Sequence, residues 1–67
     1  MISFTVNGEE RELVNSQSLL EFLEAYNLRA RMVVVEHNGI IVPREQYIHV
    51  QIKDGDILEI VQMMAGG

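Results

Sequence analysis

The sequence predicts an α+β fold in which one helix packs across one face of a small sheet. At the start of the chain, apolar residues alternate as in a strand with one buried face. A capped segment with apolar residues at helical spacing follows. Two Asn-Gly dipeptides then mark tight turns between strand-like segments. We therefore expect strand pairs joined by tight turns, with one helix covering the sheet.

The chain opens with a predicted β-hairpin. In the segment ISFTV, the side chains of Ile2, Phe4 and Val6 share one face. Asn7 and Gly8 follow, and both residue types tolerate the positive φ that a type I′ turn requires. The segment ERELV then returns as the antiparallel partner.

A helix is predicted over roughly residues 18 to 26. Ser18 and Glu21 have the spacing of a capping box, in which each side chain bonds to the other residue's backbone N–H. Asn27 suits the left-handed position that ends many helices. The apolar stripe consists of Leu19, Phe22, Leu23 and Tyr26.

The second half of the chain predicts three more strands. The segment MVVVEH is rich in β-branched residues, and a second Asn-Gly turn leads into a short strand. Pro43 has no N–H to donate, so the ladder should stop there. After an irregular segment or short helical turn, KDGD forms a tight turn with Gly55 at its tip. The last strand, ILEIVQM, is apolar at most positions and should lie in the middle of the sheet.

The predicted order is β-β-α-β-β-β, which describes a β-grasp, or ubiquitin-like, fold. We expect a mixed sheet of four to five strands with one main helix across one face. Nothing resembling a linker or repeat divides the 67 residues, so residues 1–67 are predicted to form a single domain. Its last residues, about 64–67, should be a flexible tail.

Composition excludes several classes of function. The absence of Cys rules out a disulfide framework and thiolate metal sites. Ten acidic and five basic residues give a net charge of -5, which disfavours nucleic-acid binding and suits a basic protein partner. No apolar run has membrane-spanning length and no basic leader is present, so we expect a cytoplasmic chain without membrane contact. His37 and His49 lack ligand spacing, so no metal site and no catalytic residues are predicted.

The last strand predicts a partner-docking patch. A glutamate side chain is rarely buried, so the face that carries Glu59 should point to solvent. Val61 and Met63 share that face and would be exposed apolar residues beside the tail. Methionine adapts well to binding surfaces. We therefore predict that Glu59, Val61 and Met63 contact a partner.

The sequence ends with Gly66 and Gly67. Two residues without Cβ atoms can pass through a channel too narrow for any side chain. A glycine carboxylate is unhindered, yet it is a poor electrophile until it is esterified with a good leaving group such as AMP. Terminal glycines are also common in frayed chain ends. At the end of a β-grasp strand, however, they favour a reactive carboxylate over simple fraying.

These segments together resemble the ThiS family, the sulfur carriers of thiamine biosynthesis, over essentially the whole chain. VVVEHNGIIVPREQY is similar to the family's strand, Asn-Gly turn and Val-Pro-Arg segment, and DGDILEIVQMMAGG to its Asp-Gly-Asp turn, last strand and Gly-Gly end. The resemblance implies that Gly67 is adenylated and converted to a thiocarboxylate. Gly66 and Ala65 would allow the tail to enter the active site of the partner enzyme. Arg44 would make either a surface salt bridge or a partner contact.

The resemblance also implies the partners. A ThiF-type adenylyltransferase, of the ubiquitin-activating class, would use ATP and magnesium. A cysteine desulfurase or another persulfide donor would supply sulfur, and thiazole synthase would take it. The chain would be a protein cosubstrate that binds no cofactor, and not an enzyme. Three alternatives stay open: a molybdopterin-synthase small subunit, a ubiquitin-like modifier, and a passive β-grasp interaction domain.

Overall fold

The computed structural model describes residues 1–63 and confirms the predicted α+β class. Residues 64–67, where the flexible tail was predicted, lie outside the described residues. The helical turn that begins at Ala30 was not predicted, whereas the one that begins at Arg44 lies in the segment predicted to be irregular or a short helical turn. The elements are β1 Ile2–Val6, β2 Glu9–Leu13, α1 Leu19–Ala25, a 3-10 turn Ala30–Met32, β3 Val33–His37, β4 Ile40–Ile41, a 3-10 turn Arg44–Gln46 and β5 Ile57–Gln62.

The strands form a mixed sheet with the order β2-β1-β5-β3-β4, so the last strand is central, as predicted. β1 and β5 run parallel, and the other neighbours are antiparallel. In the first hairpin Val6 pairs with Glu9, which places β2 one residue earlier than the predicted segment. Asn7 and Gly8 have φ values of 52° and 83°, as a type I′ turn requires.

The helix has the predicted caps. The Ser18 Oγ accepts from the Glu21 N–H at 3.0 Å, and the Glu21 Oε1 accepts from the Ser18 N–H at 2.8 Å. Asn27 lies in the left-handed region with φ 59°, directly after the C-cap. The predicted apolar stripe is correct for its first three members, which are buried, but Tyr26 is 44% exposed. Tyr26 lies beyond the last helical turn, where its ring packs beside Phe22 at 4.7 Å between centroids.

The core lies between α1 and the sheet. Ile52, from the long segment between β4 and β5, is completely buried there. Pro43 follows β4 and ends that strand after two residues, as predicted. The buried apolar residues are Phe4, Val6, Leu19, Phe22, Leu23, Val33, Val35, Val42, Tyr47, Ile52 and Leu58.

Both Asn-Gly turns also hold β5 in place. Pairing of β1 with β5 ends at Val6, and beyond it the side chain of Asn7 continues the ladder. Its Oδ1 accepts from the Ile60 N–H at 2.7 Å, and its Nδ2 donates to the Ile60 carbonyl at 3.0 Å. On the other side, the Oδ1 of Asn38 accepts from the Ile57 N–H at 2.8 Å. The central strand is therefore fixed by side chains from two hairpin turns.

Candidate functional site

The sheet face opposite the core carries alternate residues of β5. Leu58 is completely buried, whereas Val61 on the other face is 62% exposed. Met63, just beyond β5, is 44% exposed. The exposure that strand parity predicts for Val61 and Met63 is thus observed, and Glu59 is exposed on the same face. Their role in docking stays a prediction.

Neighbouring strands extend this surface beyond the predicted residues. Val34 of β3 pairs directly with Val61 of β5, and both are exposed. The apolar patch, as we define it, consists of Val34, Ile41, Ile57, Val61 and Met63. Monomeric domains seldom leave several large apolar side chains together in water, so this exposure is consistent with the predicted docking surface.

The predicted patch did not include Val34, Ile41 and Ile57. A signal for Val34 was present, because it shares strand parity with Glu36 in the run VVVEH. Ile41 could not be placed from its own segment, since β4 has only two residues and both are exposed. Its position follows from pairing with Glu36 across the β3–β4 hairpin.

Two glutamates lie side by side within the apolar patch. Glu36 and Glu59 are direct partners in the antiparallel β3–β5 ladder. Like charges placed opposite each other destabilise a sheet by about 0.2–1 kcal/mol. The pair therefore costs folding stability, and it provides a negative charge that a cation on a partner can neutralise.

The chain leaves the sheet beside the apolar patch. The Met63 N–H donates to the Met32 carbonyl at 2.7 Å, which ties the end of β5 to the 3-10 turn before β3. Ala65, Gly66 and Gly67, the residues predicted to carry and deliver the reactive carboxylate, lie outside the described residues. The residues predicted to dock, Val61 and Met63, therefore lie close before the predicted reactive segment in the chain.

The two histidines line one surface pocket at the opposite end of the sheet. The His37 Nε2 lies 2.8 Å from the Asp56 Oδ2, and the Lys53 backbone N–H donates to the same oxygen at 2.8 Å. The Asn38 side chain donates to the other carboxylate oxygen at 3.1 Å. Within residues 1–63, no group of three or more metal-ligating side chains could hold an ion.

Asp56 acts as a structural acceptor in this network. Burial alone would raise the pKa of the Asp56 carboxyl, but the hydrogen bonds from His37, the Lys53 N–H and Asn38 outweigh it. The pKa therefore lies below its ordinary value, and the carboxylate stays ionised at neutral pH. It joins the β3–β4 turn to the turn before β5.

Solved structures with the same architecture belong to a thiamine biosynthesis protein. A crystal structure of the thiamine biosynthesis protein ThiS from Geobacter metallireducens superposes with a TM-score of 0.82, at 35% identity, over 98% of this chain and 100% of that one. This similarity confirms the β-grasp fold. No helix within residues 1–63 is long and apolar enough to cross a membrane.

Two sequence relatives complete the comparison. The chain is 36% identical to the sulfur carrier protein ThiS of Bacillus subtilis, over 75% of this chain and 76% of that one. It is 39% identical to a thiazole synthase of Paramagnetospirillum magneticum over 98% of its own length, but spans only 20% of that protein. The sequence model of the ThiS family matches residues 4–67. The chain therefore belongs to the ThiS family.

Proposed function

We propose that this chain carries sulfur in thiamine biosynthesis, bound as a thiocarboxylate at Gly67. The observation that carries the proposal is the family match, which extends through the Gly-Gly pair to residue 67. The relative named sulfur carrier protein supports the same role. These names favour the thiamine branch over a molybdopterin-synthase subunit or a protein modifier.

The proposed chemistry activates the Gly67 carboxylate in two stages. A carboxylate oxygen attacks the α-phosphorus of ATP, pyrophosphate leaves, and an acyl adenylate forms. The terminal sulfur of a persulfide then attacks the acyl carbon and AMP leaves. Cleavage of the sulfur–sulfur bond by a second thiol releases the thiocarboxylate. Adenylation supplies the leaving group that the bare carboxylate lacks, and sulfur transfer then gives a thiocarboxylate, which is a better nucleophile than a carboxylate. Dividing one difficult step into two easier ones is the usual advantage of a covalent intermediate.

The partners we propose supply all of the catalysis. A ThiF-type adenylyltransferase would bind ATP and magnesium, a cysteine desulfurase or another donor would provide the persulfide, and thiazole synthase would receive the sulfur. The relative named thiazole synthase contains a segment similar to this chain, as expected if the two act together. The chain would then be a cosubstrate in the cytoplasm and would turn over no substrate alone.

We propose further that the adenylyltransferase docks on the apolar patch. Val61 and Met63 lie immediately before the reactive segment, so an enzyme that holds them also fixes where the chain leaves the fold. A cation on the enzyme would pair with Glu36 and Glu59. This arrangement would offset the repulsion between the two carboxylates and provide specificity.

The test is intact mass spectrometry of the chain after incubation with adenylyltransferase, ATP and a persulfide donor. We expect one oxygen to be replaced by sulfur. Deleting Gly67, adding one residue after it, or the change Gly67→Val should abolish the product. One added residue moves the carboxylate by about 3.5 Å, and misplacement of about 1 Å can cost about a hundredfold in rate.

Thermal unfolding of each variant provides the control, and we expect little change. Normal thiocarboxylation of the extended variant, with the extension still attached, would contradict the proposed mechanism. Unaltered partner binding without any modification of the wild-type chain would instead support the passive interaction domain.

A further inference from the structure

Basic residues are distributed unevenly over this acidic chain. The sequence contains ten acidic and five basic residues. Arg11 lies on β2, where it pairs with Glu9 at 3.2 Å and stacks over the Tyr26 ring. Lys53 lies in the turn before β5. The other three basic residues are arginines at the end of the sheet where β5 finishes.

Two of these arginines belong to the 3-10 turn that holds the end of β5. Arg29 is the N-cap residue of that turn, and Arg31 lies within it. The next residue, Met32, accepts the hydrogen bond from the Met63 N–H at 2.7 Å. Both arginine side chains are exposed. They therefore lie next to the point where the chain leaves the fold.

The third arginine reaches the same end from the opposite side. Arg44 begins the second 3-10 turn, after β4 has run antiparallel to β3 toward the start of that strand. Burial raises the pKa of Tyr47 above its ordinary value, and the positive charge of Arg44 offsets a small part of that rise. The Tyr47 hydroxyl donates to the Val33 carbonyl at 3.4 Å, and Val33 pairs with Gln62 at the end of β5.

None of the three forms an ion pair within residues 1–63. Glu45 follows Arg44 in the same turn, yet its carboxylate does not approach the guanidinium within salt-bridge distance. A surface salt bridge thus does not explain Arg44 in the described part of the chain. Three exposed guanidinium groups concentrated at one end of an acidic domain create a local positive field.

We propose that Arg29, Arg31 and Arg44 form an arginine rim that binds carboxylates around the opening through which the adenylyltransferase admits residues 64–67. This inference rests on the proposed function and adds a second, electrostatic contact to the apolar patch. Arginine binds carboxylates in a bidentate manner, and rim charges mainly set the association rate and its salt dependence. The rim would orient the end of β5 toward the opening before the apolar patch makes contact.

The experiment compares Arg29→Glu, Arg31→Glu, Arg44→Glu and the triple variant with Lys53→Glu. The control reverses the same charge at the other end of the sheet, away from the rim. Association rates with the adenylyltransferase are measured by stopped flow at several salt concentrations. We expect the triple variant to associate at least about tenfold more slowly at low salt, with a weaker salt dependence, and Lys53→Glu to behave as wild type.

Further measurements separate this role from other ones. A triple Arg→Lys variant should keep most of the wild-type rate, because steering depends on charge. Melting temperatures should change little, since exposed side chains without partners contribute little to folding. In thiocarboxylation assays the apparent KM for the chain should rise while that for ATP does not. A rise in the KM for ATP alone would overturn the inference, because the arginines would then serve the nucleotide.

The outcomes also distinguish this inference from the proposed function. Normal thiocarboxylation of wild type, with rim variants equal to Lys53→Glu, would overturn the arginine rim and leave the sulfur-carrier role intact. Absence of both adenylation and enzyme binding in the wild-type chain would overturn the two together. A slower triple variant that still gives a thiocarboxylate at saturating enzyme would support both.

Discussion

Replacing Val61 by Asp should disrupt docking without unfolding the chain. Val61 is 62% exposed, so the substitution removes little buried apolar surface. The loss of a β-branched residue from a central strand costs up to about 1 kcal/mol. Domains of this size have a free energy of unfolding of about 3–10 kcal/mol. The variant should therefore stay folded, with a melting temperature lowered by no more than about 8 °C.

Aspartate in place of Leu58, on the opposite and buried face of β5, should instead unfold the domain. Leu58 is completely buried. Truncation of a buried leucine alone costs about 2–5 kcal/mol, and an unpaired carboxylate in the core adds a further desolvation penalty. Together these two costs are comparable to the entire free energy of unfolding of the domain. We expect Leu58→Asp to be unfolded at room temperature.

The expected loss of affinity for the adenylyltransferase follows from burying a new charge in an apolar contact. An uncompensated polar group costs at least about 2 kcal/mol, or roughly thirtyfold in Kd. The new carboxylate would also lie two residues from Glu59, which raises the local negative charge. Met63→Asp should weaken binding in the same way, because Met63 lies on the patch.

Isothermal titration with the adenylyltransferase and circular dichroism melts provide the assay. Val61→Thr is the matched control, since threonine keeps the β-branched shape and adds no charge. It should bind within a few-fold of wild type. If Val61→Asp unfolds as badly as Leu58→Asp, or binds as well as Val61→Thr, the assignment of the patch is wrong.

Three further predictions concern residues around β5. Glu59→Gln removes the repulsion from Glu36, so urea unfolding should show a gain of about 0.2–1 kcal/mol while the Kd for the enzyme rises. Asn7→Gly keeps the turn but loses both hydrogen bonds to Ile60, which should lower the free energy of unfolding by about 1–3 kcal/mol. Asn7→Ala should lower it further, because alanine tolerates the positive φ at this position poorly. Because the pKa of Asp56 is lower in the folded chain than in the unfolded chain, its ionised carboxylate stabilises the fold at pH values above the ordinary carboxyl pKa. This stabilisation is lost as the pH falls through the lowered pKa. Asp56→Asn should therefore be less stable at neutral pH, with a difference that shrinks in acid.

Much of the fold was predictable because its signals are local. The turn at Asn7-Gly8 and the capping box of Ser18 and Glu21 depend on residues within three positions of each other. The central place of β5 was predictable from its apolar composition. Parity gave the exposure of Val61, since one glutamate in a strand identifies its solvent side.

Several features that sequence reasoning missed depend on register between distant segments. Val34 joins the apolar patch through its pairing with Val61, 27 positions later. The Asn7 side chain bonds to Ile60 because β1 turns away from β5 at that level, which nothing near residue 7 indicates. From the sequence, Arg44 could make either a surface salt bridge or a partner contact. Its position near the end of β5 becomes apparent only because β3 pairs with β4 on one side and with β5 on the other.

The central position of β5 would allow one short strand to serve both the proposed docking and the proposed delivery of the carboxylate. An edge strand would be free to shift or fray, whereas β5 is paired with β1 and β3 and held at Ile60 by Asn7. Strand residues rise by about 3.3 Å each, so Met63 lies roughly 7 Å along the chain from Val61. An enzyme that binds the apolar patch therefore meets the end of β5 at a fixed distance. Rigid placement of the departure point reduces the conformational freedom that a partner must remove before the carboxylate can react.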